Sequence, residues 1–127
     1  MRKEGFTLIE VVVSTFVLAV GILALLGTFL SGLILVESSR NGSVAAADAR
    51  AVFEEMRRLS GGSLAQVTAQ NWSAWSRNAG LTTLPNEQIT VGFRNPAADP
   101  VEATVTVRWQ ERNRNQARAF TSLVTRR

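Results

Sequence analysis

Between Glu10 and Glu37 the chain runs for 26 residues, Val11 to Val36, without a single charge. So long an apolar run leaves few options. At ~1.5 Å of rise per residue, ~20 apolar residues cross a bilayer core, so this run spans one with some tilt. Backbone groups in lipid must be satisfied within their own segment, which predicts an α-helix. Extended back to Gly5, the stretch reads GFTLIEVVVSTFVLAVGILALLGTFLSGLILV, with Glu10 as its one acid. A carboxylate inside a membrane segment costs on the order of ~3 kcal/mol and normally marks a function that involves a partner. Arg2 and Lys3 ahead of the run keep the N-terminus cytoplasmic and place Glu37 onward in the periplasm or outside the cell. A secretory signal has a shorter apolar region, of about 7–15 residues, followed by a small-x-small cleavage site. An ordinary membrane anchor stays open but leaves Glu10 unexplained.

The basic leader, the hexapeptide Gly5-Phe6-Thr7-Leu8-Ile9-Glu10 and the unbroken apolar run together resemble the N-terminal signature of the type IV pilin-like superfamily, which includes the pseudopilins of type II secretion. The resemblance implies that a membrane-embedded aspartyl prepilin peptidase cuts between Gly5 and Phe6 and methylates the new N-terminal Phe6. It also implies that Glu10 pairs with the terminal amine of a neighbouring subunit during assembly. The physics of the residues is consistent with that. A positive amine near Glu10 offsets much of the cost of its burial. A cut after Gly5 creates one about a helical turn away, although a neighbour's amine could serve equally well. Gly5, lacking a Cβ, lets the backbone approach a catalytic centre closely.

Of the 127 residues, those after Val36 number 91, enough for one small domain with a modest core. The chain has no cysteine, no histidine and no tyrosine, and its one lysine is Lys3. Disulfides, Cys or His nucleophile–base pairs, His metal sites and a lysine Schiff base in the mature chain are therefore excluded. No catalytic motif, metal site or cofactor is expected. Many pilins carry a C-terminal disulfide loop, and this chain departs from them there. Without residues 1–5, 12 arginines stand against nine acids, a balance of about +3.

Past the membrane run the helical pattern continues. Val44, Ala45, Ala47, Ala49, Val52, Phe53, Met56 and Leu59 recur at roughly helical spacing, with Asp48, Arg50, Glu54, Glu55, Arg57 and Arg58 on much of the opposite face. Glu54 and Arg58 form an expected i,i+4 pair. Asn41-Gly42-Ser43 is a weak point for a bend, and Gly61-Gly62 ends the segment. One helix of about 50 residues, ~80 Å by rise, is predicted from Phe6 to near Ser60. Gly21, Gly27 and Gly32 suit either local melting on assembly or close helix packing.

Ser63 to Asn86 reads as a connection with one short helix, capped by Asn71 and ended by Gly80. Trp72 and Trp75 fall on one face of it, as an aromatic-binding patch or, in the plainer reading, as core packing. Leu84-Pro85-Asn86 is a turn. Strands are predicted over Gln88–Phe93, Val101–Gln110 and near Arg118–Thr125, joined by the turn Asn95–Pro100 and a polar turn Glu111–Gln116. Val101, Ala103, Val105, Val107 and Trp109 form one face of the middle strand. Short connections favour an antiparallel meander whose apolar face covers the second half of the helix.

Arg108, Arg112, Arg114, Arg118, Arg126 and Arg127 make the C-terminal end basic. Phosphate contacts to DNA are one reading, and pilin-like proteins take part in DNA uptake; a solvated basic surface is the other. The expected whole is an α+β, pilin-like fold: a leader at 1–5, a membrane and filament-core helix at 6–36, an amphipathic half at 37–60 and a small exported head at 61–127 on a three-stranded antiparallel sheet. The small cysteine-free head and the layout look like the PilV-type minor pilins and the GspI-type minor pseudopilins. That resemblance implies a structural subunit rather than an enzyme, held in the inner membrane and then drawn into a pilus or pseudopilus. Its partners would be other pilins or pseudopilins, the prepilin peptidase and the inner-membrane assembly platform. A DNA-uptake component and a plain membrane-anchored binding module are the rival readings.

Overall fold

The computed structural model describes residues 5–126. Arg2 and Lys3 in the leader, and Arg127 at the far end, lie outside the described residues. Helix α1 runs Leu8–Ser60, 53 residues, so Phe6 and Thr7 precede it rather than form part of it. The chain divides after Glu37 into two units.

In the first unit every side chain from Leu8 to Val36 is exposed. This part of α1 has a mean hydropathy of 2.6 over its most apolar window, apolar enough to cross a membrane by length and composition. Its few hydroxyls are satisfied internally. Thr15, Thr28 and Ser31 donate to the carbonyls of Val11, Ala24 and Gly27 at 2.7, 3.0 and 3.0 Å. Such back-bonding lets a polar residue sit in lipid without an outside partner.

In the second unit the helix continues through Asn41-Gly42-Ser43 without the expected break. The Ser43 hydroxyl donates to the Ser39 carbonyl at 3.0 Å, as an unbroken turn allows. The buried stripe is Ala45, Asp48, Ala49, Val52, Phe53 and Met56. Two assignments change. Ala47 is exposed and Asp48 is buried, because at 100° per residue position 48 lies beside 45, 49 and 52 while 47 turns away. The acid–base pairs are Glu54–Arg57 and Glu55–Arg58 rather than Glu54–Arg58, both spaced i,i+3. The bond from Arg58 holds the Glu55 carboxyl below its ordinary range.

Two short helices follow, where one was expected. Helix α2, Leu64–Ala69, opens on Ser63, whose hydroxyl accepts from the Ala65 N–H at 3.1 Å. Helix α3, Trp72–Asn78, opens on Asn71 as anticipated, with Ala74 N–H donating to its side chain at 3.0 Å. Gly80 follows its end at φ +73°, a conformation glycine adopts without steric cost. The Trp72 indole donates to the Val67 carbonyl at 2.9 Å, tying α3 to α2.

The sheet has order β1-β2-β3, antiparallel throughout: β1 is Gln88–Phe93, β2 Val101–Glu111 and β3 Arg114–Val124. The third strand starts four residues earlier than expected. The polar turn shrinks to Arg112 and Asn113, at φ +49° and +61°. Two successive positive φ values are the geometry of a type I′ turn, which matches the twist of the strands it joins. Val101, Ala103, Val105, Val107 and Trp109 are all buried, as the alternation of β2 predicts. Ala103, Val105, Val107 and Trp109 meet Ala45, Ala49, Val52, Phe53 and Met56 from α1, Ile89 from β1 and Val124 from β3 in one core. Each fully buried aliphatic side chain contributes ~1.5–3 kcal/mol, so this layer holds the second unit together.

One corner of the core is polar. Asp48 from α1 faces Glu87, just ahead of β1, and both are more than nine-tenths buried. Burial first, then the bond and charge of Glu87, push the Asp48 carboxyl up from 3.8 to about 7. Glu87 accepts the Leu84 N–H through its other oxygen at 2.8 Å. Asp48 Oδ2 and Glu87 Oε1 receive no donor from the described residues, and a proton kept on Asp48 relieves the repulsion between the two carboxyls.

Candidate functional site

The start of α1 carries the residues expected to matter for processing and assembly. Gly5, Phe6 and Thr7 lie ahead of the first helical residue and are exposed. Thr7 is the residue before the helix, and Glu10 is the third helical position. Their bonds are reciprocal. The Thr7 N–H and hydroxyl donate to Glu10 Oε2 at 2.8 and 3.0 Å, and the Glu10 N–H donates back to the Thr7 hydroxyl at 3.3 Å. This is a capping box: two otherwise unpaired N–H groups of the first turn are satisfied by each other's side chains.

The box revises the reading of Glu10. Its carboxylate has a partner within its own chain, one helical turn away, in addition to any amine it meets later. Both Thr7 donors fall on Oε2, and among the described residues Oε1 receives none. A carboxylate at a helix N-terminus is also favoured by the helix dipole. So the acid is stable where it stands, with one oxygen still able to accept. Thr7 is the residue that sequence reasoning passed over. The signal was present, since Thr-x-x-Glu ahead of an apolar run is the sequence form of a capping box.

The C-terminal arginines do not form one patch. Arg108 pairs in register with Ala117 on the face of the sheet turned away from α1, and Arg112 is in the β2–β3 turn. Arg114 and Arg118 pair with Glu111 and Val107, on the helix side of β3. Arg126 follows β3, its N–H donating at 3.3 Å to the Asp99 carboxylate, which also accepts from the Thr125 hydroxyl at 2.9 Å. Arg118 is brought against α1: its guanidinium carbon lies 3.4 Å from where a Cβ on Gly42 would be.

The two tryptophans are packing residues. Their rings meet edge to face at 5.7 Å; Trp72 is buried and Trp75 packs against the core. Ser73 between them donates to the Ile89 carbonyl of β1 at 2.8 Å, which covers part of that sheet edge. Among the described residues no group of three acids stands close enough to hold a metal.

Among protein families, residues 1–26 match the prokaryotic N-terminal methylation motif. The motif supports a place for the chain in the type IV pilin-like superfamily. It covers the leader, the Thr7–Glu10 box and the apolar run as far as Leu26. Neither the curated proteins nor the solved structures gave a match. Beyond Leu26 the pilin-like character therefore rests on the architecture: a long N-terminal helix whose second part packs on a three-stranded antiparallel sheet. Such a motif points to processing by a prepilin peptidase, anchoring in the inner membrane and assembly with other pilin-like subunits.

Proposed function

We propose that this chain is a minor pilin, a structural subunit that primes or tips a type IV pilus and polymerises through the apolar part of α1. Cleavage falls between Gly5 and Phe6, Phe6 is N-methylated, and Glu10 pairs with the terminal amine of a neighbouring subunit. The N-terminus starts in the cytoplasm and the unit from Ser38 is exported. The observation that carries the reading is the Thr7–Glu10 box at the mouth of an uncharged helix. It supports the reading by holding a carboxylate, with one oxygen left to accept, about one helical turn along the chain from the residue on which a cut after Gly5 would leave a new amine.

The head supports the finer reading. It is a single helix–sheet layer with no cysteine to close a disulfide loop, which suits a subunit present in few copies better than a shaft built from thousands. A minor pseudopilin of type II secretion is the rival, and no residue here favours it over a pilus.

Intact mass of the protein from its native membranes tests the proposal. Loss of residues 1–5 with one added methyl is expected. A full-length chain, in cells with an active prepilin peptidase, would reduce the protein to a membrane-anchored module. Crosslinking of the processed form then separates the two systems by whether pilus or secretion subunits are recovered.

A further inference from the structure

We infer that the open edge of β3 is a docking site for one extended, acidic strand of a partner protein, which joins the sheet as a fourth strand. The inference concerns the unit from Ser38 alone, goes beyond the assembly reading and does not depend on it.

The edge is open and regular. β3 is a boundary strand of the sheet, paired with β2 on one side only. The other boundary, β1, is partly covered by α3, whose Ser73 hydroxyl donates to the Ile89 carbonyl. Residues 114–119 of β3 are all exposed. Its register with β2 is one to one from Val101↔Val124 to Glu111↔Arg114, so it has no bulge, and it contains neither proline nor glycine. The two-residue turn at Arg112-Asn113 makes Glu111 and Arg114 a pair that exchanges both backbone bonds. Alternation then turns the N–H and C=O groups of Asn115, Ala117, Ala119, Thr121 and Leu123 away from β2. Among the described residues no hydrogen bond outside the ladder reaches them. Such a row of unpaired groups is a template for another strand.

Charge selects the occupant. From 112 to 127 the chain has five arginines and no acid. Arg114 and Arg118 stand four residues apart on the helix side of β3, ~13 Å by strand rise. Both are exposed, and among the described residues neither makes an ion pair. Glu111 stands across from Arg114 on β2, so the seam stays basic. Like charges brought opposite each other across a strand pair are destabilising, which opposes a second copy of this edge. A strand with acids opposite Arg114 and Arg118 gains guanidinium–carboxylate bonds instead. Phe120, half-buried against the core, offers an apolar side chain on the same face. An antiparallel partner therefore reads apolar-x-acid-x-polar-x-acid, from opposite Phe120 to opposite Arg114.

The test uses the full chain in an uncharged detergent and the peptide Val-Thr-Glu-Thr-Thr-Thr-Glu, with a fluorophore at one end and anisotropy as the readout. This peptide should bind at least about tenfold more tightly than its Glu-to-Lys counterpart. R114E/R118E should invert the preference. The second, fourth and sixth residues of the peptide turn their amides to the edge. N-methylating those three threonines removes the backbone bonds and keeps both acids, and it should abolish binding. Amide exchange at Ala117 and Ala119 should slow when the unmodified peptide is bound.

Equal binding of the acidic and basic peptides, or none of either, overturns the proposal. Binding that survives N-methylation overturns it too, since the arginines then hold carboxylates without strand pairing. The chain has no cysteine of its own, so Ala117→Cys chains that join each other by a disulfide would give the edge to a second copy and remove the acidic partner. None of these outcomes bears on processing between Gly5 and Phe6, which intact mass reads separately.

Discussion

At the scale of single residues, two side chains carry consequences that composition hides. Thr7 is an ordinary small polar residue in the sequence, yet it closes the first turn of α1 around Glu10. Replacing it with valine keeps the shape and removes the hydroxyl. Loss of such a cap costs about 1 kcal/mol, so amide exchange at Glu10 and Val11, whose N–H groups donate to the Thr7 hydroxyl and carbonyl, should quicken about fivefold in micelles, and Thr7→Ser should restore it. Exchange unchanged in the valine variant would mean that the hydroxyl contributes nothing to the turn. Asp48 is the second. Its proton is bound more tightly in the folded state than in the unfolded chain, because its carboxyl is raised from 3.8 to about 7. The stabilisation is therefore full below about pH 4, fades as pH rises toward 7 and is absent above. Asp48→Asn should remove that slope and melt higher than the parent at pH 8. Parallel melting curves across the range would show that folding does not tighten the hold of Asp48 on its proton. Neither role could be read from residue type. Asp48 was assigned to the solvent face by its charge, whereas its angular position on the helix puts it in the core.

At the scale of elements, legibility follows the strength of the period. The five alternating residues of β2 and the run of α1 were plain, because each pattern repeats over many residues. The Asn71 cap and Gly80 stop of α3 were plain for a different reason: each residue type has a specific job at a helix end. Helix α2 was not, since six residues hold less than two turns of pattern. The β2–β3 turn was misjudged in length because Arg-Asn is not the Asn-Gly or Asp-Gly pair that announces a two-residue hairpin. The bend expected at Gly42 is absent because the helix there is held by packing on the sheet side, where Gly42 itself is buried. Its glycine then serves no conformational need. Gly42→Ala should stabilise the head by up to about 1 kcal/mol, since the new methyl meets only the movable end of Arg118 at 3.4 Å. Thermal unfolding measures it, and a lower midpoint would mean that Arg118 cannot give way.

At the scale of the whole molecule, the chain is one helix shared by two units with different solvents. The apolar unit needs lipid or other helices; the unit from Ser38 has its own core. Heating the full chain in detergent should therefore unfold the second unit cooperatively while roughly half of the helical circular dichroism persists. A single transition that removes all of it would show the two to be one cooperative body. The division itself was legible, because an uncharged run of 26 residues cannot belong to a water-facing domain. What the sequence alone left open was how the acid at its head is satisfied. The capping box answers that, and it bears on timing. The Gly5–Phe6 bond lies outside the helix, two residues ahead of Leu8, and both members of the box follow the bond. A cut at this proposed site asks for no unwinding of the helix and discards no hydrogen bond of the box. On the proposed processing, the capped first turn is already closed in the uncut chain, so becoming ready for assembly asks for a cut and not for a new fold of that turn.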